Sequence, residues 1–285
     1  MLLTAVEGEA ARELSPAIAW PTIALTAVLV PLHVGLIALG LSGAFSPWWL
    51  TLPLGVSAYL HYTPVHEAIH RNIVRSRRFD PANAAIGWWG ALLTGMTWPL
   101  VARTHIAHHA HTNDERDPDI FVRGSLVRLI ALAMLSTLTN LVPVPVWRLI
   151  CNKKPPKLGY LDAWKNMPAS EWRLHQAAHG LMCVGVWSAV ALGKGEAAFA
   201  LYVVPATIGR FLMGFLLNWL PHQPWAAGDR YLTTSLRKGR LLALFSVGHN
   251  MHLIHHLWPG VPFYRYRALY LRLAPVLHER GVELV

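Results

Sequence analysis

A helix needs about 20 mostly apolar residues to cross the hydrocarbon core of a bilayer, and this chain contains four stretches near that length. They run at about 17–41, 48–65, 174–192 and 197–220. The first two are joined by the turn Ser42 to Pro47 and the last two by Gly193-Lys194-Gly195. Links this short allow only antiparallel helical hairpins. The composition agrees: 54% of the 285 residues are apolar and only 14% are charged, against about a quarter charged in a soluble domain. Thirteen Trp suit a chain with many membrane–water boundaries.

Two further apolar segments, Ala82–Val101 and Leu126–Ile150, are weaker. The second carries Arg128, Asn140, Pro143 and Pro145. A full crossing by Ala82–Val101 would put His105–His109 on the opposite side from the other histidine-rich segments. Both segments are therefore expected to lie in the interface or to dip in and return. On that topology, 23 of the 25 Lys and Arg fall on one side, including the basic loop with Lys153, Lys154, Lys157 and Lys165. Only Lys194 lies outside and Arg210 within a span. The positive-inside rule makes the basic side cytoplasmic. It also accounts for the net charge of +10 without nucleic acid, since no stacked basic face appears. The expected fold is thus an all-α integral membrane protein of about four transmembrane helices, with interfacial helices and a cytoplasmic histidine-rich cap. It forms a single domain over 1–285, with no internal repeat. Cys151 and Cys183 make no disulfide framework. The acidic N-terminus (Glu7, Glu9, Glu13) has no basic n-region or cleavage site, so no removable signal peptide is expected.

Sixteen histidines far exceed what a core requires, and their spacing matters more than their number. Three clusters stand out: His66-Glu-Ala-Ile-His70, His105-Ile-Ala-His108-His109 and His252-Leu-Ile-His255-His256. Residues at i, i+3 and i+4 share one helix face. Adjacent histidines lie about 100° apart, so His108 and His109, or His255 and His256, can each reach a different metal. Asn218 and His222 sit one turn apart at the end of the last apolar stretch. Nine histidines and one asparagine should converge at one membrane face. Nine buried imidazoles without a metal would leave many ring nitrogens needing partners. One zinc takes four ligands or fewer, whereas nine suit two five- or six-coordinate ions. Imidazole accepts iron, zinc and copper alike; an oxygen-activating iron pair explains both the ligand number and the membrane setting. Glu67 is expected to orient a ligand histidine through its second ring nitrogen. His249 and His111 are weaker candidates for the same role. His33, His61, His175, His179 and His278 read as structural or interfacial. Arg210, costly within a span unless paired, reads equally as a structural clamp or a substrate contact.

The three boxes resemble those of the membrane fatty acid desaturase/hydroxylase superfamily, over about Trp48 to His278. Trp219-Leu-Pro-His222-Gln-Pro and Gly248-His-Asn-Met-His252-Leu-Ile-His255-His256-Leu-Trp-Pro-Gly-Val-Pro-Phe-Tyr264 resemble the cyanobacterial-type β-carotene hydroxylases. So does His105 through Asn113-Asp114, ending in Asp117-Pro-Asp119. The resemblance implies an O2-dependent di-iron oxidoreductase fed by a separate electron donor, ferredoxin or cytochrome b5. It implies His66, His70, His105, His108, His109, His222, His252, His255 and His256 as ligands of two Fe. Asn218 falls where the desaturases help to hold a metal-bound water, and Asp117 and Glu67 are expected around the ligands. Glu67 stands where carotenoid hydroxylases of this type often have Asp, and many acyl desaturases have a longer first box. The expected substrate is a lipid: a carotenoid ring to be hydroxylated or, alternatively, an acyl chain to be desaturated or hydroxylated. Trp88, Trp89 and Trp98 could wall its slot or anchor the interface. Two distant rivals remain. His66-Glu67-Ala-Ile-His70 fits the zinc-protease pattern H-E-x-x-H but leaves six clustered histidines unexplained. A metal transporter would need ionisable residues deep within the spans.

Overall fold

The computed structural model describes residues 2–138, 141–143, 146 and 167–285. The basic loop at Lys153–Lys165, Cys151, Asn140, Pro145 and the end of the segment expected at Leu126–Ile150 lie outside the described residues. Among the described residues the structure is helical and has no strand, only two isolated bridges, Ile18 with Val74 and Leu236 with Leu284.

A short helix α1 (Leu2–Glu13) precedes α2 (Trp20–Leu41). Pro21 opens α2, where its missing N–H costs nothing. Val28, Leu32, Val34 and Leu39 leave α2 uncovered by protein on its outer face, as a lipid-facing helix requires. A 3-10 turn (Pro47–Leu50) leads into α3 (Thr51–Ile69), the central and most buried helix. Later come α7 (Ala169–Ala191) and α8, a continuous helix over Gly195–Trp219. Two helices, Trp20–Leu41 and Gly195–Trp219, are long and apolar enough to cross a membrane. The stretches expected at 48–65 and 174–192 are helical as well, within α3 and α7, but more polar. Small residues let α3 and α8 meet closely: a Cβ on Gly55 would lie 2.6 Å from Ile208, and one on Gly209 would lie 3.0 Å from Ala58. Close approach of this kind holds membrane helices together.

The segment expected to dip and return is two helices, α4 (Asp80–Leu93) and α5 (Trp98–His111), separated by a break at Thr94–Met96. Gly95 has φ +67°, a conformation glycine adopts without strain. From the His70 end of α3, α4 runs back along it, and Gly90 packs directly on Val65 and on the His61 carbonyl. Then α5 returns, and His105 and His109 reach the level of His66 and His70. The bend is clamped from α8. Arg210 donates to the Thr94 carbonyl (2.6 Å), Ser136 Oγ (3.0 Å) and the Ser136 carbonyl (3.1 Å). Of the two roles open for Arg210, the structural one is what these contacts describe.

Past α5, Asn113 adopts a left-handed conformation (φ 64°), which its short polar side chain tolerates, and the chain turns into a loop folded around Asp117. Next, α6 (Leu126–Thr137) starts at the cap Ser125, which accepts from the Arg128 N–H. It leaves Val127 and Met134 exposed. After α8 come α9 (Arg240–Phe245), α10 (His252–Leu257) and α11 (Tyr266–Glu279). Tyr266, Leu269, Leu273 and Leu277 form one stripe of α11 and pack with Leu253, Ile254 and Leu257 of α10 and with Ala11 of α1. That small core holds the third histidine cluster against the first two.

Candidate metal centre

The three boxes and His222 meet. His66, His70, His105, His109 and His255 form one group; His108, His222, His252 and His256 form a second; within each group the ligand atoms lie within 4.8 Å of one another. Adjacent histidines divide as their 100° separation requires, with His109 and His255 in the first group and His108 and His256 in the second. The groups adjoin: the rings of His109 and His256 are 4.4 Å apart, and those of His108 and His109 are 5.8 Å apart.

Every close contact is between Nε2 atoms. In the five-histidine group His66–His255 and His70–His105 are 2.9 Å apart, His105–His109 3.1 Å and His109–His255 2.8 Å. In the four-histidine group His222–His252 and His252–His256 are both 3.1 Å apart. Three of the opposite ring nitrogens are committed to named partners, while those of His66 and His252 are buried without a hydrogen-bond partner. His108 Nδ1 donates to Asp117 (2.8 and 3.0 Å), His222 Nδ1 donates to Asn113 Oδ1 (2.9 Å) and His255 Nδ1 donates to the Tyr266 hydroxyl (3.0 Å). A neutral ring with its proton on Nδ1 presents a lone pair at Nε2. Several such lone pairs face each other at contact distance, an arrangement that repels unless a cation sits among them. The donor set therefore fits a metal in each group.

Burial keeps these imidazoles neutral. Desolvation, reinforced by neighbouring histidines, lowers His105, His109, His222, His252, His255 and His256 well below the ordinary histidine value. His108 goes the other way. Burial opposes its charge, but the hydrogen bond and charge of Asp117, with Asp119 beyond, outweigh that and raise it. Asp117 is itself held fast, accepting from the N–H groups of Asn113 (2.7 Å) and Asp119 (2.9 Å).

Other expected residues fall at different distances. Glu67 is buried beside His66, but its oxygen is 3.7 Å from Nδ1, too long for a hydrogen bond. It accepts instead from Phe263 N–H (3.3 Å). Asn218 lies one turn before His222, whose N–H bonds back to its carbonyl (3.3 Å), and its buried Oδ1 has no hydrogen-bond partner. His249 packs edge-on to His66, centroids 4.9 Å apart, and its Nδ1 donates to the Ser246 carbonyl (3.0 Å). His111 faces Asp114 at 3.6 Å. Of the three tryptophans, Trp98 packs on the cluster Tyr59, Tyr62, Val65, Ala91, Val101 and Leu217, which meets the centre where Tyr62 approaches His66 (6.2 Å). Spacing did not single out Asn113 or Tyr266. Asn113 adjoins the second box but serves His222, 109 residues away, and no periodicity announces such a pairing.

Nine imidazoles converging in a helical protein form a candidate metal centre. The family model for fatty acid desaturases matches residues 43–285, and the chain belongs to that family, which is of the di-iron, histidine-box type. A β-carotene ketolase of Paracoccus sp. (strain PC1) is 28% identical over 224 residues, 76% of this chain and 73% of its own. One from Paracoccus sp. (strain N81106 / MBIC 01143) is 28% identical over 229 residues, with the same shares. A dihydrorhizobitoxine desaturase of Bradyrhizobium elkanii is 25% identical over 251 residues, 76% of this chain and 66% of its own.

Proposed function

We propose that the chain is a multi-pass membrane oxygenase that holds two iron ions on the nine histidines and uses O2 to oxidise a C–H bond of a carotenoid end ring, giving a hydroxyl group. The observation that carries this reading is the convergence of nine histidines, drawn from three sequence boxes and His222, into two adjoining groups whose ligand atoms lie within 4.8 Å of one another. Two iron ions there, reduced by a separate donor such as ferredoxin or cytochrome b5, would activate O2 so that one oxygen atom enters the C–H bond and the other leaves as water, with two electrons and two protons consumed. The chain's own residues do the rest. Asp117, Asn113 and Tyr266 fix ring orientation by holding Nδ1 protons. The packed cluster of Tyr59, Tyr62, Val65, Val101 and Leu217 keeps water from the His66 side of the centre, and placement of the substrate beside the centre sets the carbon attacked. In this reading α2, α3, α7 and α8 all span the bilayer, and the histidines lie at the cytoplasmic face, where the Lys and Arg gather.

The carotenoid assignment draws on the two ketolase relatives, whose names give β-carotene as substrate. Acyl-chain desaturation or hydroxylation is the second reading, favoured by the family model and the desaturase relative. Expression in a host that accumulates β-carotene, with pigment and lipid profiling and a His108→Ala control, separates them. Hydroxylated pigment made by the wild type but not by the control supports the proposal. Unchanged pigments with altered acyl chains support the second reading. Identical products from wild type and control would remove His108 from the site.

A further inference from the structure

Residues 237–250 form a loop closed at its base. Arg237 N–H donates to the Asn250 carbonyl (2.9 Å), and the Asn250 side-chain amide donates to the Arg237 carbonyl (2.7 Å). The base lies at the level of the histidines, since the ring of His249 packs 4.9 Å from that of His66. The tip lies elsewhere. Its Phe245 carbonyl accepts from the Tyr59 hydroxyl (2.7 Å), and Tyr59 stands two turns before His66 on α3, about 10 Å along the axis. Helical side chains lean toward the N-terminus, which carries the Tyr59 hydroxyl further still from the His70 end. The loop therefore leaves the level of the centre, runs back along α3 and returns at His249.

Its surface and backbone fit a place in lipid. Leu241, Leu244 and Phe245, at i, i+3 and i+4, share one face of α9 and are 70%, 70% and 61% exposed. The N–H groups of Ala243, Ser246, Val247 and Gly248 reach the carbonyls of Gly239, Leu242, Leu244 and Ala243 (3.0, 2.8, 3.1 and 2.8 Å), and Tyr59 serves the Phe245 carbonyl. Backbone that enters hydrocarbon must be satisfied in this way. At the base, Lys238 and Arg240 are exposed and Arg237 is partly so. Glu283, next to the Leu284 that bridges to Leu236, offsets part of this charge and leaves the base net positive.

We propose that residues 237–249 are a re-entrant anchor for anionic phospholipid. Leu241, Leu244 and Phe245 enter among the acyl chains, and Lys238 and Arg240 meet the head-group phosphates. The anchor ties the segment leading into the third histidine box to the membrane surface. This inference rests on the reading above in which α2 and α3 span the bilayer.

The test uses the full-length protein with Cys151→Ser and Cys183→Ala. It carries one nitroxide at a time, at Leu244→Cys, at Val28→Cys on the outer face of α2, or at Glu115→Cys in the loop after α5. Each is placed in nanodiscs of phosphatidylcholine, with or without phosphatidylglycerol. Collision with O2, which concentrates in hydrocarbon, is compared with collision with Ni2+–EDDA, which stays in water. The Leu244 label should behave like the Val28 label and favour O2, while the Glu115 label favours the nickel reagent. Phosphatidylglycerol should shift the Leu244 label further toward O2. Lys238→Gln with Arg240→Gln should abolish that shift and leave the thermal midpoint unchanged, because both side chains are exposed. The inference is overturned if the Leu244 label reports water while the Val28 label reports lipid, or if neither phosphatidylglycerol nor the charge variants move it. It is also overturned if the label is shielded from both reagents in discs holding two copies, since a second copy then covers the face. A Val28 label in water instead sinks the spanning reading itself.

Discussion

Replacing Asp117 by Asn changes a single atom type and tests how far the centre depends on what stands behind it. The carboxylate is buried and accepts four contacts. Oδ1 takes His108 Nδ1 (2.8 Å) and Asp119 N–H (2.9 Å), while Oδ2 takes His108 Nδ1 (3.0 Å) and Asn113 N–H (2.7 Å). An asparagine can serve only one of these sets, and its NH2 then confronts N–H donors on the other side. Hydrogen bonds to a charged group contribute about 1.5–3 kcal/mol each, and a buried donor left alone costs about 1–3 kcal/mol. We expect Asp117→Asn to destabilise the metal-free protein by about 3 kcal/mol. It should also weaken the four-histidine site, because His108 loses the partner that fixes its tautomer and raises its basicity. Changes to such partners cost about 10- to 100-fold in metal affinity, which is about 1.4–2.8 kcal/mol. Helical ellipticity in a denaturant series gives the first number and anaerobic Fe2+ titration the second. Asp117→Asn with unchanged stability and metal affinity within twofold of wild type would show that the loop around Asp117 is packing alone.

The crossing of α4 on α3 gives a steric prediction: a Cβ at Gly90 would lie 2.4 Å from Val65 and 2.9 Å from the His61 carbonyl, so Gly90→Val should cost at least the ~1–3 kcal/mol of an overpacked core and lower the thermal midpoint. The metal-free protein should lose stability as the pH falls through about 6.5. Its six lowered histidines stay neutral when folded but take up protons when unfolded, so the stability they confer is present above that pH and lost below it; a midpoint that rises on acidification from pH 7.5 to 5.5 contradicts the assignment. Chelation should lower the midpoint and Fe2+ should restore it, by about 2.7 kcal/mol at a hundredfold excess over the dissociation constant; no shift on reloading would mean the groups hold no ion. Arg210→Met removes the donor to the Thr94 carbonyl and should cost about 1.5–3 kcal/mol, read by the same unfolding series.

What could be read from the sequence was whatever lies in local periodicity. The i, i+3, i+4 pattern of His105, His108 and His109 fixes which imidazoles share a face, and the 100° step between neighbours separates His108 from His109 before any tertiary structure is known. The need for the second box to meet the first forced Ala82–Val101 to turn back, and Gly95 is where it does. The partners of the ligands were harder to find. Tyr266 reaches His255 from the next helix, and Asn113 reaches His222 across 109 residues. Glu67 shows the limit of adjacency: it follows His66 in sequence yet bonds to Phe263, because successive residues on a helix point about 100° apart. Lengths of apolar sequence mark helices well, but polarity within α3 and α7 leaves, among the described residues, only α2 and α8 long and apolar enough to cross a membrane.

The two groups are unequal, and their surroundings differ in the same sense. The five-histidine group has more nitrogens, and its His255 is backed by a neutral hydroxyl, Tyr266. The four-histidine group has fewer, and its His108 is backed by a buried carboxylate. A carboxylate behind an imidazole makes that ring a stronger donor, and its negative charge offsets part of a dication's charge where desolvation would otherwise be costly. Charge balance then requires that removing Asp117 and Asp119 together hurt this site far more than its neighbour. Mere crowding of buried imidazoles would weaken both alike.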